Sequence, residues 1–77
     1  MYSFEKLTEI FSVVLNTDIN EITMELEISN CRNWDSLATV ILINCIEQEF
    51  GVQFNIHEYE SLISIRAFEE KIKNKII

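Results

Sequence analysis

Proline is absent from this chain of 77 residues, and glycine occurs once, at Gly51. A turn-rich β sandwich or a flexible linker needs both residues in number, so neither architecture fits. Basic residues are scarce: six Lys and Arg stand against 13 Asp and Glu, a formal charge of −7. Binding to phosphate backbones requires a positive footprint, so nucleic acid is not an expected partner. An acidic surface suits basic faces on other proteins instead. The two cysteines, Cys31 and Cys45, are too few for a disulfide framework, and neither belongs to a CxxC pair. With His57 the single histidine, zinc would have too few soft ligands, and no metal site is expected. Reduced thiols and a cytoplasmic location are the simplest account of the cysteines. The apolar run at residues 40–43 is far shorter than the roughly 20 residues that cross a bilayer. The first residues show no basic segment followed by an apolar one, so neither a signal peptide nor a membrane partner is expected.

What the chain does have is apolar side chains, 48% of its residues, with a normal charged fraction of 25%. That is enough for one compact domain over residues 1–77, of modest stability because a chain this small buries only about 60% of its unfolded surface. Phe4, Leu7, Ile10, Phe11, Val14 and Leu15 recur at helical spacing and predict a first helix from about Ser3 to about Asn16. Ser3 is its N-cap, Tyr2 a staple on Leu7, and Asn16 a left-handed terminator. Residues 17–33 read as a long loop pinned to the core by Ile19, Ile22, Met24, Leu26 and Ile28. Alternation over residues 22–28 has the period of a strand, but a strand without a partner cannot satisfy its backbone, so the loop reading is preferred. A loop of this length in a small domain is usually functional.

A second helix is expected from Ser36 to Phe50, capped by Asp35 and stopped by Gly51. On a helical projection Thr39, Leu42, Ile43, Ile46 and Phe50 share one face, which is assigned to the core. Leu37, Val40 and Ile41 fall on the opposite side with Asn44 and Gln48, an apolar face left for a partner or ligand. A short helical turn at residues 56–62 and a last helix follow. Ser64 caps that helix, and Ile65, Phe68, Ile72 and Ile76 form its inner face. Lys71, Lys73 and Lys75 complement the negative end of its dipole. The expected fold is all-α: a small four-helix bundle of three longer helices and one short one, with the long loop between the first and second.

The tetrapeptide Trp34-Asp35-Ser36-Leu37 places one hydroxyl at a helix start. Unpaired N–H groups and partial positive charge there favour a phosphate ester on Ser36. Asp35 caps the helix and could hold a divalent cation while a modifying enzyme works. Trp34 is expected either to shield one side of the serine or to act as a boundary anchor. Other chemistry is poorly supplied. The stretch from Asp18 to Thr23 begins like a calcium loop, but Thr23 stands where the sharp turn needs Gly. His57 has no obvious nucleophile to pair with, and Thr39 is expected to be packed.

With helix, long loop, Asp35-Ser36-Leu37, a second helix ending Glu47-Gln48-Glu49-Phe50-Gly51, short helix and last helix in that order, the whole chain resembles an acyl carrier protein. The resemblance implies that Ser36 accepts 4′-phosphopantetheine from coenzyme A through a separate phosphopantetheinyl transferase, with Asp35 aiding recognition. The arm's thiol, and not Cys31 or Cys45, would carry an acyl group as a thioester. It further implies a monomeric carrier with no catalysis of its own, served by an acyl-loading ligase and acyl-processing enzymes. Leu37, Val40 and Ile41 would meet those partners, and Glu47 would offer a charge to basic docking patches. Housekeeping carriers of the family have a small residue where Trp34 stands and acidic residues where Ala38 and Ile41 stand, which points to a specialised biosynthetic pathway. The competing reading is a small interaction module that binds through Leu37, Val40 and Ile41 without covalent modification.

Overall fold

The computed structural model describes residues 1–76, and three α-helices carry the architecture: α1 (Phe4–Leu15), α2 (Ser36–Phe50) and α3 (Ile65–Ile76). The Ser3 hydroxyl accepts from the Lys6 amide at 3.2 Å and starts α1; Asn16, at φ 51°, ends it. Asp35 and Gly51 bracket α2 as expected, Gly51 at φ 67°. Ser64 caps α3 through the Ala67 amide at 3.0 Å. Each of these five boundaries is thus set by a residue whose side chain or backbone freedom suits that position.

α1 and α2 run antiparallel, since Lys6 near the start of α1 lies 4.0 Å from Glu49 near the end of α2. At the other end the Asn33 side chain donates to the Leu15 carbonyl at 2.9 Å, tying the end of the loop to the end of α1. Phe11 sits at the centre of the core, edge-on to Trp34 at 5.3 Å and to Phe68 at 5.4 Å. Leu7, Leu42, Ile43, Ile46, Ile65 and Ile72 fill the space around these rings and are fully buried. Aromatic rings in edge-to-face contact add to their area of burial, so three separate segments are joined at one point.

The segment between α1 and α2 differs from a plain loop. It contains two single 3₁₀ turns, Ile19–Glu21 and Ile28–Asn30. Ile22 and Leu26 are buried anchors and Met24 and Ile28 pack partly against the core, but Ile19 is exposed. The alternating stretch does find a partner. Glu27 bridges Ser64 in antiparallel fashion, with the Ile28 amide donating to the Ile63 carbonyl at 2.8 Å and the Ile65 amide to the Leu26 carbonyl at 3.0 Å. The pairing stops after one bridge, because residues 28–30 turn on one side and α3 begins on the other. The 3₁₀ turn Ile56–Ser61 occupies the place of the expected short helix.

Two polar clusters fasten α3. The Glu58 carboxylate accepts from Lys75 at 2.9 Å and lies 3.5 Å from Lys71, so these lysines bind a specific acid besides complementing the dipole. The Asn55 amide and then Lys75 hold Glu58 below the ordinary glutamate range. Tyr2 reaches farther than a staple on Leu7: its hydroxyl donates to Glu69 at 2.6 Å and its ring lies 5.8 Å from Phe50. Burial, with the Glu69 carboxylate, pushes the Tyr2 hydroxyl up.

Because the Glu58 pKa is lowered by folding, its stabilising effect is present above its ordinary value of about 4.5 and is lost as pH falls through the folded value. Glu58→Gln should therefore lower the melting temperature at pH 7, and the gap to the parent should shrink as the pH is taken towards 3. A gap that does not change with pH would show that the carboxylate charge contributes nothing.

Candidate functional site

α2 begins on a short chain of buried hydrogen bonds. Trp34 Nε1 donates to Thr39 Oγ1 at 2.8 Å, and Thr39 Oγ1 donates to the Asp35 carbonyl at 3.1 Å. Trp34 is 3% exposed and Thr39 7%, so both polar groups need these partners. Trp34 is therefore an anchor in the core and does not shield Ser36. Its ring meets Phe11 and its N–H reaches, through Thr39, the backbone one residue before the serine.

The Asp35 side chain accepts from the Ala38 amide at 2.8 Å and its carbonyl accepts from the Thr39 amide at 3.0 Å. The amides of Ser36 and Leu37 are left without an acceptor among the described residues. Ser36 is exposed at the first position of the helix, and its hydroxyl has no hydrogen-bond partner among the described residues. A phosphate ester on that oxygen would sit beside unpaired amides and the positive end of a helix of 15 residues.

Beside Ser36 opens an apolar cleft of about 280 Å³. Ser36, Thr39 and Val40 line it from α2, Ile28 from the first loop, and Tyr59, Glu60, Leu62 and Ile63 from the segment before α3. The lining from residues 59–63 was not legible in the sequence as part of a site. One signal pointed to it: Leu62 and Ile63 are adjacent and apolar, and only one of them can face the core. Leu62 is buried and Ile63 is exposed. Leu37, Val40 and Ile41 are all exposed on α2, Leu37 the most at 68%.

Glu47 also has a partner within the chain. One oxygen of its half-buried side chain accepts from the Phe54 amide at 2.9 Å and holds the segment after α2 against the helix. A larger cleft, about 630 Å³, lies in the loop between Asn16 and Asn33, lined by Asp18, Glu21 and Glu25 and by Arg32. It does not include Ser36, and the sequence offers no catalytic pairing there. Among the described residues no group of three His, Cys, Asp or Glu side chains is arranged to hold a metal, and no helix is long and apolar enough to cross a membrane.

Residues 5–72 match the family described as the phosphopantetheine attachment site. The chain belongs to that family. It is similar to an acyl carrier protein of Thermosynechococcus vestitus, with 33% identity over 72 residues, covering 94% of this chain and 89% of that one. It is also similar to an acyl carrier protein of Coprothermobacter proteolyticus, with 29% identity over 73 residues, covering 95% and 89%. The cofactor of the family is 4′-phosphopantetheine, and the residues at the start of α2 fit it: a free hydroxyl, unpaired amides and an apolar cleft alongside.

The buried pair beneath this site should be strongly coupled. Thr39→Val leaves the Trp34 N–H unsatisfied and should cost about 1–3 kcal/mol, whereas the Thr39→Val, Trp34→Phe double variant should cost less than the sum of the two single changes. Urea unfolding of the four proteins measures this, and strict additivity would show that the hydrogen bond contributes nothing.

Proposed function

We propose that the chain carries acyl intermediates on a 4′-phosphopantetheine arm esterified to Ser36. The observation that carries the reading is the exposed, unpartnered Ser36 hydroxyl at the start of α2, in a chain that matches an attachment-site family along most of its length. A phosphopantetheinyl transferase supplies the arm from coenzyme A. When bound, the arm supplies a thiol that holds the cargo as a thioester. The protein's own residues present and orient the attachment point. Asp35 fixes the first turn of α2 through Ala38 and offers its second carboxylate oxygen to the transferase's metal. Leu37, Val40 and Ile41 meet the partner enzymes, while Glu47 holds the backbone at Phe54. The protein acts as a cytoplasmic substrate and shuttle without catalysis of its own.

The apolar outer face of α2 supports service in a specialised pathway, with its own acyl-loading ligase and acyl-processing enzymes. Leu37, Val40 and Ile41 are uncharged, and the two carboxylates of the helix, Glu47 and Glu49, lie in its last turns.

Incubation with coenzyme A and a broad-specificity transferase should add one phosphopantetheine to the protein, as read by intact mass. Ser36→Ala should abolish the gain while changing stability by no more than about 0.5 kcal/mol, as expected of an exposed side chain. A protein that stays unmodified would favour a plain interaction module binding through α2. Asp35→Asn keeps a capping oxygen, so its stability should stay within about 0.5 kcal/mol of the parent. Its loading should still slow at least several-fold, and unchanged loading would remove Asp35 from transferase recognition.

A further inference from the structure

The cleft that Ser36 lines bears on what the arm carries. Its volume, about 280 Å³, lies just below the roughly 300–1,000 Å³ of small-molecule pockets. Leu62 is 1% exposed, and Thr39 Oγ1 is held by the Trp34 indole at 2.8 Å, so on that side the cleft backs onto the filled aromatic core. A cargo folded back from Ser36 therefore finds room for a short chain, with an apolar lining from Ile28, Val40 and Ile63.

The polar groups of the lining bear on the far end of that chain. Glu60 is the one charged residue that lines the cleft. It is exposed and has no ion-pair or hydrogen-bond partner among the described residues. The cations of α3 face other carboxylates: Lys71 and Lys75 meet Glu58, Lys73 meets Glu69, and Arg66 meets Glu25. Tyr59 adds a hydroxyl that no other described residue engages. Attachment at Ser36 adds a phosphodiester, a second negative charge at the cleft. Both charges repel an anionic cargo, and a plain alkyl group leaves both unmatched. An ammonium group pairs with Glu60.

We infer that the cargo held at this cleft is a short aminoacyl group, its chain against Val40 and Ile63 and its ammonium against Glu60, with the Tyr59 hydroxyl as a second acceptor. This inference rests on the assignment of Ser36 as the attachment point and names the class of cargo. An ion pair so exposed contributes modestly, enough to rank cargoes of equal size without locking one in place. That suits a protein that must give its load up to the next enzyme.

The test loads the full chain with coenzyme A analogues through a broad-specificity phosphopantetheinyl transferase. Each analogue carries its cargo through an amide in place of the thioester, so that none is lost by hydrolysis. β-Alanyl, butanoyl and succinyl cargoes are similar in length and end in a positive, a neutral and a negative group. The β-alanyl form should melt about 2 °C above the butanoyl form, and the succinyl form below it. Amide NMR shifts should differ between the β-alanyl and butanoyl forms chiefly at residues 59–63. Glu60→Gln alters an exposed, unpaired side chain and should erase the melting difference between those two forms, while Tyr59→Phe should reduce it. Equal melting of the two forms in the parent, or a difference that survives Glu60→Gln, overturns the inference. Intact mass reads loading separately: the carrier reading fails only if the parent is not loaded at Ser36 at all.

Discussion

The hydrogen bond from the Trp34 indole to Thr39 joins the aromatic core to the first turn of α2. Trp34 packs edge-on against Phe11, which packs edge-on against Phe68, so the anchor ties the start of α2 to α1 and α3 at once. Thr39 passes that constraint on to the Asp35 carbonyl. A hydrophobic ring alone would hold this segment near the core without fixing its register. The buried N–H has to meet an acceptor, and Thr39 supplies it only when the helix begins at Ser36.

An exposed hydroxyl on a firm support is what a carrier site asks of its scaffold. The oxygen must be free for a second enzyme, so nothing in the protein can bond it, yet the backbone beneath must not wander. The two requirements are met by different residues. Ser36 contributes the free group, while Asp35, Ala38 and Thr39 absorb the local hydrogen bonds around it. The same division recurs along α2: Leu42, Ile43 and Ile46 hold the inner face against the core, and Leu37, Val40 and Ile41 remain uncovered on the outer one.

Local signals were legible because they depend on neighbours in the chain. Ser3, Asp35 and Ser64 all cap as their residue types suggest, and Asn16 and Gly51 take the left-handed conformation that ends a helix. The long loop was harder to read. Its alternation is real, but its partner, the stretch at Ile63 and Ile65, runs at once into α3 and is too short to read as a strand, so a single bridge left no mark in the sequence. The inward contacts of Trp34 and Glu47 were hidden for a related reason. An indole next to an exposed serine and a carboxylate near a helix end both look available until distant atoms, Phe11 in one case and the Phe54 amide in the other, are brought up to them.

By itself, then, the sequence determined the helices, their ends and the hydroxyl at the head of α2, since helical periodicity and capping act over three or four residues. Tertiary structure alone decided which side chains were drawn inward and which were left out. It buried Trp34, engaged Glu47 and set Ile63 across a cleft from Val40. Those outcomes depend on close packing between segments far apart in the chain, where an atom's partner is chosen by the whole core and not by its neighbours in sequence.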